Sequence, residues 1–258
     1  MSRSSTTGRH ESGQNFLVER RVIAHVVDLV AATSGPILEI GPGDGALTIP
    51  LARWGRPITA IEVDARRAER LDRATPQHVR VKAADVLRER LPTFPHVVVG
   101  NLPFHLTTAI LRRLLAADHW TDAVLVVQWE VARRRAGVGG STLLTAQSGP
   151  WFEFALEGRI PARAFRPVPG VDGGVLRVVR RTRPLVDARE RRAYDALLAR
   201  IFTGPGRGLR AVVRRATGLP DAVVAEWMRA AGLPPSSLPR HPRAEDWAAL
   251  WQLTLQAR

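Results

Sequence analysis

The chain has 258 residues, enough for one large domain or for a domain with a small partner, and 45% of them are hydrophobic, enough for a sizeable core. The absence of cysteine excludes disulfides, thiolate metal sites and a cysteine nucleophile. The formal net charge of +14 indicates a polyanionic partner, nucleic acid before membrane. Only one of the 38 basic residues is lysine, so codon preference explains arginine over lysine, but it does not explain the excess of bases over acids.

The beginning of the chain carries no recognisable targeting signal. The polar stretch Met1–Asn15 lacks an apolar segment behind a basic start, so we expect no signal peptide. No apolar run approaches the ~18 residues that a bilayer requires. These features predict a soluble, cytoplasmic protein without a membrane partner.

Short apolar runs alternate with helical patterns across the first two-thirds of the chain. Five of the runs have the composition of buried parallel strands: Pro36–Ile40, Pro57–Glu62, Val79–Ala83, His96–Gly100 and Ala123–Gln128. Helical patterns separate them at Ala46–Trp54, Ala65–Arg73 and Thr107–Ala117. This alternation predicts an α/β fold with a doubly wound, Rossmann-like sheet, which a hairpin pair closes at one edge, at Phe152–Arg159 and Gly173–Arg180.

The last third of the chain has a purely helical pattern. Four helices are predicted, at Asp187–Arg200, Gly208–Ala216, Asp221–Ala231 and Ala244–Leu255. We therefore expect a catalytic domain over residues 1–182, with 1–12 flexible, and a small all-helical domain over 183–258. Residues 181–258 hold 14 arginines and 7 acids, so this tail carries half of the excess positive charge.

The first predicted strand leads into a turn with three glycines, Gly41, Gly43 and Gly45. Glycines at a strand-to-helix turn let a ligand approach the backbone closely. A dinucleotide motif places its third glycine one residue later, and the acids Glu39 and Asp44 do not suit a pyrophosphate. They suit a cationic ligand, such as the ammonium and sulfonium of S-adenosylmethionine. A purely structural tight turn is the alternative.

Acidic residues also end the next two predicted strands. Glu62 has two oxygens that can accept hydrogen bonds from both hydroxyls of a ribose, and Asp85 can accept the amino group of an adenine. Each acid alone is also compatible with a solvated loop or a helix cap. Acids at the ends of three successive parallel strands share one edge, which is where such sheets bind ligands.

The fourth predicted strand ends in the segment Gly100–Phe104, here called the acceptor loop. The lone pair of an adenine amino group is delocalised, and two acceptors for its hydrogens pull the nitrogen towards tetrahedral geometry. The Asn101 side-chain oxygen and the Leu102 carbonyl are candidates for these acceptors. Phe104 offers a face on which a base can stack, beside a turn that Pro103 stiffens. The alternative is an Asn-x-Pro turn beside a core phenylalanine.

Two further segments are candidates for this site. Phe165 lies on a proline-rich stretch, Ala164–Pro169, and is predicted to close on the other face of a flipped base. Ser12–Leu17 has no helix or strand signal and is predicted to lie across the cofactor as a lid.

These motifs resemble the Erm and dimethyladenosine transferase superfamily of rRNA adenine methyltransferases. The matching segments occur in family order over nearly the whole chain: Gly13–Leu17, Glu39–Gly45, Asn101–Phe104 and Phe165–Pro169. The resemblance implies a class I methyltransferase sheet, a C-terminal helical domain and S-adenosylmethionine as cofactor. It also implies that Asn15, Gly41, Glu62, Asp85 and Asn101 line the cofactor and the reaction centre. The predicted cofactor site further includes Phe16, Leu17, Glu39, Gly43, Val63 and Val86.

Three functions are compatible with this resemblance. The segments Gln128–Gly137, Pro150–Phe154 and Pro169–Gly174 are similar to Erm proteins, especially actinobacterial ones. Erm enzymes methylate an adenine of 23S rRNA and confer macrolide, lincosamide and streptogramin B resistance, which is the function we predict. The alternatives are a housekeeping small-subunit rRNA dimethyltransferase and a non-catalytic, basic RNA-binding factor.

The predicted RNA surface combines a basic run with the helical tail. Its candidate phosphate contacts are Arg133, Arg134, Arg135, Arg207, Arg210, Arg214 and Arg215. A solvated face rich in arginine is the alternative, above all for the tail. The expected partner is 23S rRNA at an adenine in a single-stranded or loop region, bound by a monomer that needs no metal.

Overall fold

A computed structural model describes residues 15–257 and divides them into two compact units. The first contains the residues up to Ala132 together with Leu156–Val178, and the second contains Arg133–Ala155 and the chain from Val179 onwards. The domain boundary expected near residue 182 stays a prediction. Residues 133–155 group with the tail because they pack on it: the Tyr194 hydroxyl donates to the Ala146 carbonyl over 3.1 Å.

Seven strands form the main sheet, whose order is β4-β3-β2-β5-β6-β9-β7. Their bounds are β2 Ile37–Ile40, β3 Ile58–Glu62, β4 Val79–Ala83, β5 His96–Asn101, β6 Trp120–Gln128, β7 Phe152–Ile160 and β9 Gly173–Arg180. The pairs from β4 through β6 are parallel. The Rossmann-like sheet predicted from the sequence is confirmed, and the two predicted hairpin strands are neighbours at its end.

A second, two-stranded sheet pairs β1 (Phe16–Leu17) with β8 (Phe165–Arg166) in antiparallel register. Phe16 lies opposite Arg166, and Leu17 lies opposite Phe165. This segment carries no strand pattern in the sequence, since two residues are too few to show a period. The described end of the predicted lid is therefore part of a small sheet, while Ser12–Gln14 lie outside the described residues.

Helix α1, Arg20–Ala31, precedes the first strand of the main sheet, and four helices follow strands of that sheet: α2 Thr48–Ala52, α3 Ala65–Ala74, α4 Thr107–Ala116 and α5 Trp129–Arg135. Helix α2 is shorter than its predicted pattern, Ala46–Trp54, because the glycine turn extends to Leu47. Helix α3 begins at a clear cap, where the Asp64 carboxylate accepts the backbone N–H groups of Arg66 and Arg67.

The second unit contains α6 Leu143–Ser148, α7 Arg191–Thr203, α8 Leu209–Thr217, α9 Asp221–Ala230 and α10 Ala244–Gln256. All four helices predicted for the tail are present, with ends shifted by a few residues. They bury aromatic side chains, among them Tyr194, Trp247 and Trp251, each at most 1% exposed. No helix of residues 15–257 has the length and apolar character needed to cross a membrane.

The apolar residues of β2, β5 and β6 are almost entirely buried, as the continuous hydrophobic runs predict for parallel strands covered on both faces. The chain leaves β2 for β3 on one side, and β5 lies on the other side. This arrangement is a topological switch point, where a crevice opens at the carboxyl ends of the strands.

Candidate functional site

The glycine turn after β2 forms one wall of this crevice. Gly43 has φ +56, and a Cβ atom there would lie 3.0 Å from the Phe16 ring, so a larger residue is both strained and obstructed. Gly100 of β5 is equally constrained, because its Cβ would lie 2.5 Å from the Ile40 carbonyl oxygen. The two glycines let the backbone of β2, the turn and the acceptor loop approach one another closely.

Glu62, at the end of β3, is 2% exposed and rigidly held. One carboxylate oxygen accepts the Gly43 N–H over 3.0 Å, and the other accepts the Asp64 N–H over 3.1 Å. Each oxygen retains capacity for another hydrogen bond. The carboxylate therefore ties the glycine turn to β3 and presents two acceptors in a fixed direction.

Glu39, in β2, is a second buried carboxyl group near the turn, 1% exposed. Burial raises its pKa to about 7; the nearby Thr48 opposes this shift and the charge of Glu62 adds to it. Its Oε2 atom has no hydrogen-bond partner in residues 15–257. Two carboxyl groups, one with an unpartnered buried oxygen, suit a cationic ligand, and S-adenosylmethionine fits these residues in this respect.

The acceptor loop begins where β5 ends. The Asn101 side-chain nitrogen donates to the Asn15 carbonyl over 2.7 Å, which leaves its Oδ1 oxygen as an acceptor. Leu102 is 1% exposed, and its N–H donates to the Val126 carbonyl of β6 over 2.9 Å. The loop is thus anchored to the neighbouring strand and to the segment before β1.

A small cavity of about 30 Å³ brings most of the predicted site residues together. Its walls are Asn15, Phe16, Gly41, Gly43, Glu62, Asn101, Leu102, Pro103 and Phe104. The sequence singled out every one of them for cofactor or acceptor, except Pro103, which it expected only to stiffen the turn. Five predicted cofactor residues do not line this cavity: Leu17, Glu39, Val63, Asp85 and Val86.

The residues outside the cavity have other surroundings. Leu17 is buried, whereas the Val63 side chain, immediately after Glu62, is half exposed. Asp85 follows β4, and its Oδ1 atom accepts the Leu87 N–H over 2.9 Å. This contact closes a turn that no helix follows, and the other carboxylate oxygen lies 3.7 Å from Arg88.

Phe165 does not have the position expected from the sequence. Its side chain is 0% exposed, and its ring packs edge-on against Phe104, with centroids 6.0 Å apart. A fully buried ring has no face free for a base, because the pairing of β8 with β1 draws Phe165 into the core. We therefore assign Phe165 a supporting contact behind Phe104 instead of the predicted stacking role.

The predicted RNA-binding arginines all belong to the second unit. Arg134 is exposed, while Arg133 and Arg135 are half buried, and Arg135 donates to the Thr142 hydroxyl over 2.7 Å. Arg207 and Arg215 are exposed. The tail arginines at positions 210 and 214 both pair with Asp221, whose pKa is lowered chiefly by the hydrogen bond from Arg210.

The structure adds basic residues that the sequence reasoning missed. A cavity of about 530 Å³ within the second unit is lined by four arginines, at positions 135, 181, 240 and 243. Arg181 is paired with Glu153 and Glu245, whereas Arg240 and Arg243 are exposed and have no carboxylate partner in residues 15–257. The available signal was the basic cluster Arg240–Arg243, which follows Pro239 and contains Pro242.

The site combines a glycine turn at the switch point with buried carboxylates beside it. An Asn-Leu-Pro-Phe loop follows β5, the strand next to β2 in the sheet. These are the properties of a class I methyltransferase, which uses S-adenosylmethionine. No group of His, Asp or Glu side chains in the described part of the chain is arranged to hold a metal ion.

Comparison with known proteins gives the same result. A family model described as ribosomal RNA adenine dimethylase matches residues 5–237. The mycinamicin-resistance protein MyrB of Micromonospora griseorubida is 49% identical over 95% of this chain and 79% of its own length. An rRNA adenine N-6-methyltransferase of Corynebacterium diphtheriae is 56% identical over 81% of this chain and 83% of its own.

A solved structure agrees with these sequence matches. The crystal structure of the 23S rRNA methyltransferase ErmE superposes with a TM-score of 0.84 at 33% identity, and the match covers 92% of this chain and 98% of that one. The chain belongs to the ribosomal RNA adenine dimethylase family.

Proposed function

We propose that this enzyme transfers a methyl group from S-adenosylmethionine to the exocyclic amino group of an adenine in 23S rRNA, and so confers macrolide, lincosamide and streptogramin B resistance. The observation that carries the proposal is the position of Asn101, fixed at the switch point beside the glycine turn with its side-chain oxygen left to accept. The names of the similar MyrB and ErmE proteins support the rRNA substrate and the resistance phenotype.

We assign the cofactor to the crevice at the ends of β2, β3 and β4. Bound there, S-adenosylmethionine supplies an electrophilic methyl group. The oxygens of Glu62 accept the ribose hydroxyls, and Gly41 and Gly43 allow close approach of the backbone. Asn15 and Phe16 cover one side, and the buried carboxyl of Glu39 offsets positive charge. We also assign to the cofactor site four residues at or after the ends of strands β1, β3 and β4: Leu17, Val63, Asp85 and Val86.

The acceptor loop then activates the adenine by hydrogen bonding. The Asn101 Oδ1 oxygen and the Leu102 carbonyl accept the two amino hydrogens, which localises the nitrogen lone pair. Phe104 stacks on the flipped base, supported from behind by Phe165. No strong base is needed before transfer, because the amino proton becomes acidic only as the methyl group arrives.

The RNA is held by positive charge on the second unit. We assign phosphate contacts to Arg133–Arg135, to Arg207 and Arg215, and to the newly found Arg240 and Arg243, with smaller contributions from Arg210 and Arg214 because Asp221 partly neutralises them. In this proposal the enzyme is a cytoplasmic monomer that needs no metal and acts on an unpaired adenine.

A small-subunit rRNA methyltransferase is the competing enzyme. The matching protein of that name from Cutibacterium acnes is 31% identical over 87% of this chain, well below the 49% of the resistance protein. A non-catalytic RNA-binding factor is disfavoured by chemically competent residues at each cofactor and acceptor position.

A methylation assay with labelled cofactor distinguishes these functions. Protein-free 23S rRNA and assembled small ribosomal subunits are offered separately, with the Asn101→Ala variant as a control for contaminating activity. We expect label in an adenine of 23S rRNA alone. Label confined to small subunits would establish the competing enzyme, and cofactor binding without transfer to either RNA would establish a non-catalytic factor.

A further inference from the structure

A cavity of about 450 Å³ opens at the carboxyl end of β6, within the first unit. It is lined by Gln128, Trp129, Glu130, Arg159, Ala162, Gly170, Val171 and Asp172. Its volume falls in the range of roughly 300–1,000 Å³ that is usual for ligand pockets. The mechanism above uses none of these residues. We call this space the Trp129 cavity.

The Trp129 cavity lies at the same edge of the sheet as the acceptor loop. Strands β5 and β6 are parallel neighbours, and Asn101 pairs with Val126. Trp129 is three residues further along, a distance of about 10 Å at the rise of a strand. The Phe165 ring connects the two places, since it contacts Phe104 and lies 2.8 Å from the position of a Cβ on Gly173, the residue after Asp172.

Arg159 lies over the Trp129 ring and is largely exposed. The guanidinium carbon lies 5.2 Å from the centroid of the Trp129 ring, within the distance of a cation–π contact. Asp172 Oδ2 accepts hydrogen bonds from Nε over 2.8 Å and pairs with Nη2 at 2.7 Å. The Arg159 side chain is nevertheless 61% exposed. Two contacts with one carboxylate oxygen hold the guanidinium, while most of the side chain remains accessible.

Asp172 is itself fixed by its surroundings. Its other carboxylate oxygen accepts the Ala162 N–H over 2.8 Å, and its carbonyl accepts the Trp129 N–H over 2.9 Å. The pKa of Asp172 is lowered, first by the Ala162 hydrogen bond and then by Arg159. The stack of Trp129 and Arg159 is therefore preorganised, and Val171, 49% exposed, adds apolar surface to the wall of the cavity.

This chemistry matches an unpaired nucleobase. RNA-binding proteins stack splayed-out bases on aromatic rings and on guanidinium planes, and recognise the base edges with hydrogen-bonding side chains. Gln128 in the wall of the Trp129 cavity is a side chain of this kind. A phosphate group alone requires no planar platform, and Asp172 opposes its charge.

We propose that the Trp129 cavity binds the base of an unpaired nucleotide close to the target adenine in the RNA chain, stacked on the outer face of Arg159. The inference rests on the proposed function, because it presupposes an RNA substrate whose adenine enters the acceptor loop. Arg159 is a positioning residue here: it places the RNA and does not touch the reacting atoms.

The test couples changes in the protein to changes in the RNA. The substrate is an unmethylated 23S rRNA hairpin that contains the target adenine. It is made intact and as four variants, each with one abasic nucleotide at one of the two positions before or the two positions after the target. Steady-state kinetics are measured for the wild type, for Arg159→Ala and for Arg159→Lys, which keeps the charge but loses the plane. Arg163→Ala removes a nearby exposed arginine outside the cavity and is the matched control.

We expect one abasic position to raise the wild-type KM by roughly 5- to 150-fold, the range expected for loss of one stacked base, with kcat little changed. With intact RNA, Arg159→Ala and Arg159→Lys should show the same increase in KM as the wild type shows with that abasic RNA. Their KM should rise little further when the abasic RNA is used. Arg163→Ala should respond to the abasic RNA as the wild type does.

Additive effects of Arg159→Ala and of every abasic position would overturn the inference, as would an Arg159→Lys variant that behaves as the wild type. In both outcomes wild-type methylation of intact RNA leaves the proposed function standing. A wild-type protein that methylates no RNA would overturn the proposed function, and this inference with it.

Discussion

Asn101 shows how one side chain can serve two purposes at the residue scale. Its nitrogen holds the Asn15 carbonyl, so the amide plane is set before an adenine enters. The oxygen of the same amide then points where an acceptor is required by the proposed mechanism. Preorganised acceptors of this kind act mainly as charge develops, which is where they accelerate a reaction most.

Replacing Asn101 with alanine should lower kcat by ~10²-fold or more, because one of two acceptors for the amino group is lost. Cofactor affinity should change far less, since Glu62 and the glycine turn remain. Single-turnover kinetics and calorimetry measure the two quantities. Thr108→Ala, on the exposed side of α4, is the control, and wild-type turnover in Asn101→Ala would refute the proposed role.

At the scale of elements, the first residue of α2, Thr48, lies near the Glu39 carboxyl group of β2 and acts to lower its pKa. Both residues are at most 1% exposed. A buried carboxyl group is costly when ionised, so this junction should make the stability of the first unit depend on pH.

The pKa of Glu39 rises to about 7 in the folded protein, from an ordinary value of 4.5. Between these two pH values the folded state retains a proton that the unfolded state has released, so the free energy of unfolding falls as pH rises through this window. The full effect above pH 7 is ~3 kcal/mol.

Glu39→Gln should remove this dependence. Denaturant unfolding without cofactor should show the variant gaining on the wild type from pH 4.5 to 7, with a constant difference above. Glu69→Gln, at an exposed glutamate of α3, controls for the loss of one acid. A stability difference between Glu39→Gln and wild type that is independent of pH would contradict the assignment.

At the scale of the whole molecule, the net charge of +14 is the dominant property for RNA binding. Not all of this charge is equally available, because Asp221 pairs with two tail arginines and Arg181 has two acidic partners. Exposed arginines, such as Arg134 and Arg243, should contribute most to the release of counterions from RNA.

RNA affinity should therefore fall steeply with salt, and each lost phosphate contact should flatten the log–log slope by about 0.7–0.9. Arg134→Glu and Arg243→Glu should each weaken RNA binding and leave cofactor binding unchanged. Arg53→Glu is a matched reversal that precedes β3, at the opposite edge of the sheet from the acceptor loop. An unchanged salt slope in both test variants would show that the RNA lies elsewhere.

The sequence by itself determined the features that depend on local pattern. Continuous apolar runs define parallel strands wherever both faces are buried, so the five parallel strands β2 to β6 were predictable within a few residues. The glycine turn, Glu62 and Asn101 were also predictable, because the carboxyl ends of parallel strands always share an edge.

Only the tertiary structure decided which residues meet across long separations. Pairing of Phe16–Leu17 with Phe165–Arg166 buries Phe165 and removes the role that its loop position suggested. Ion pairs with acids partly neutralise Arg181, Arg210 and Arg214, and Asp172 holds the guanidinium of Arg159 in place. Such contacts join side chains that are distant in sequence, so no periodicity or residue spacing predicts them. Their energy arises only once the chain has folded.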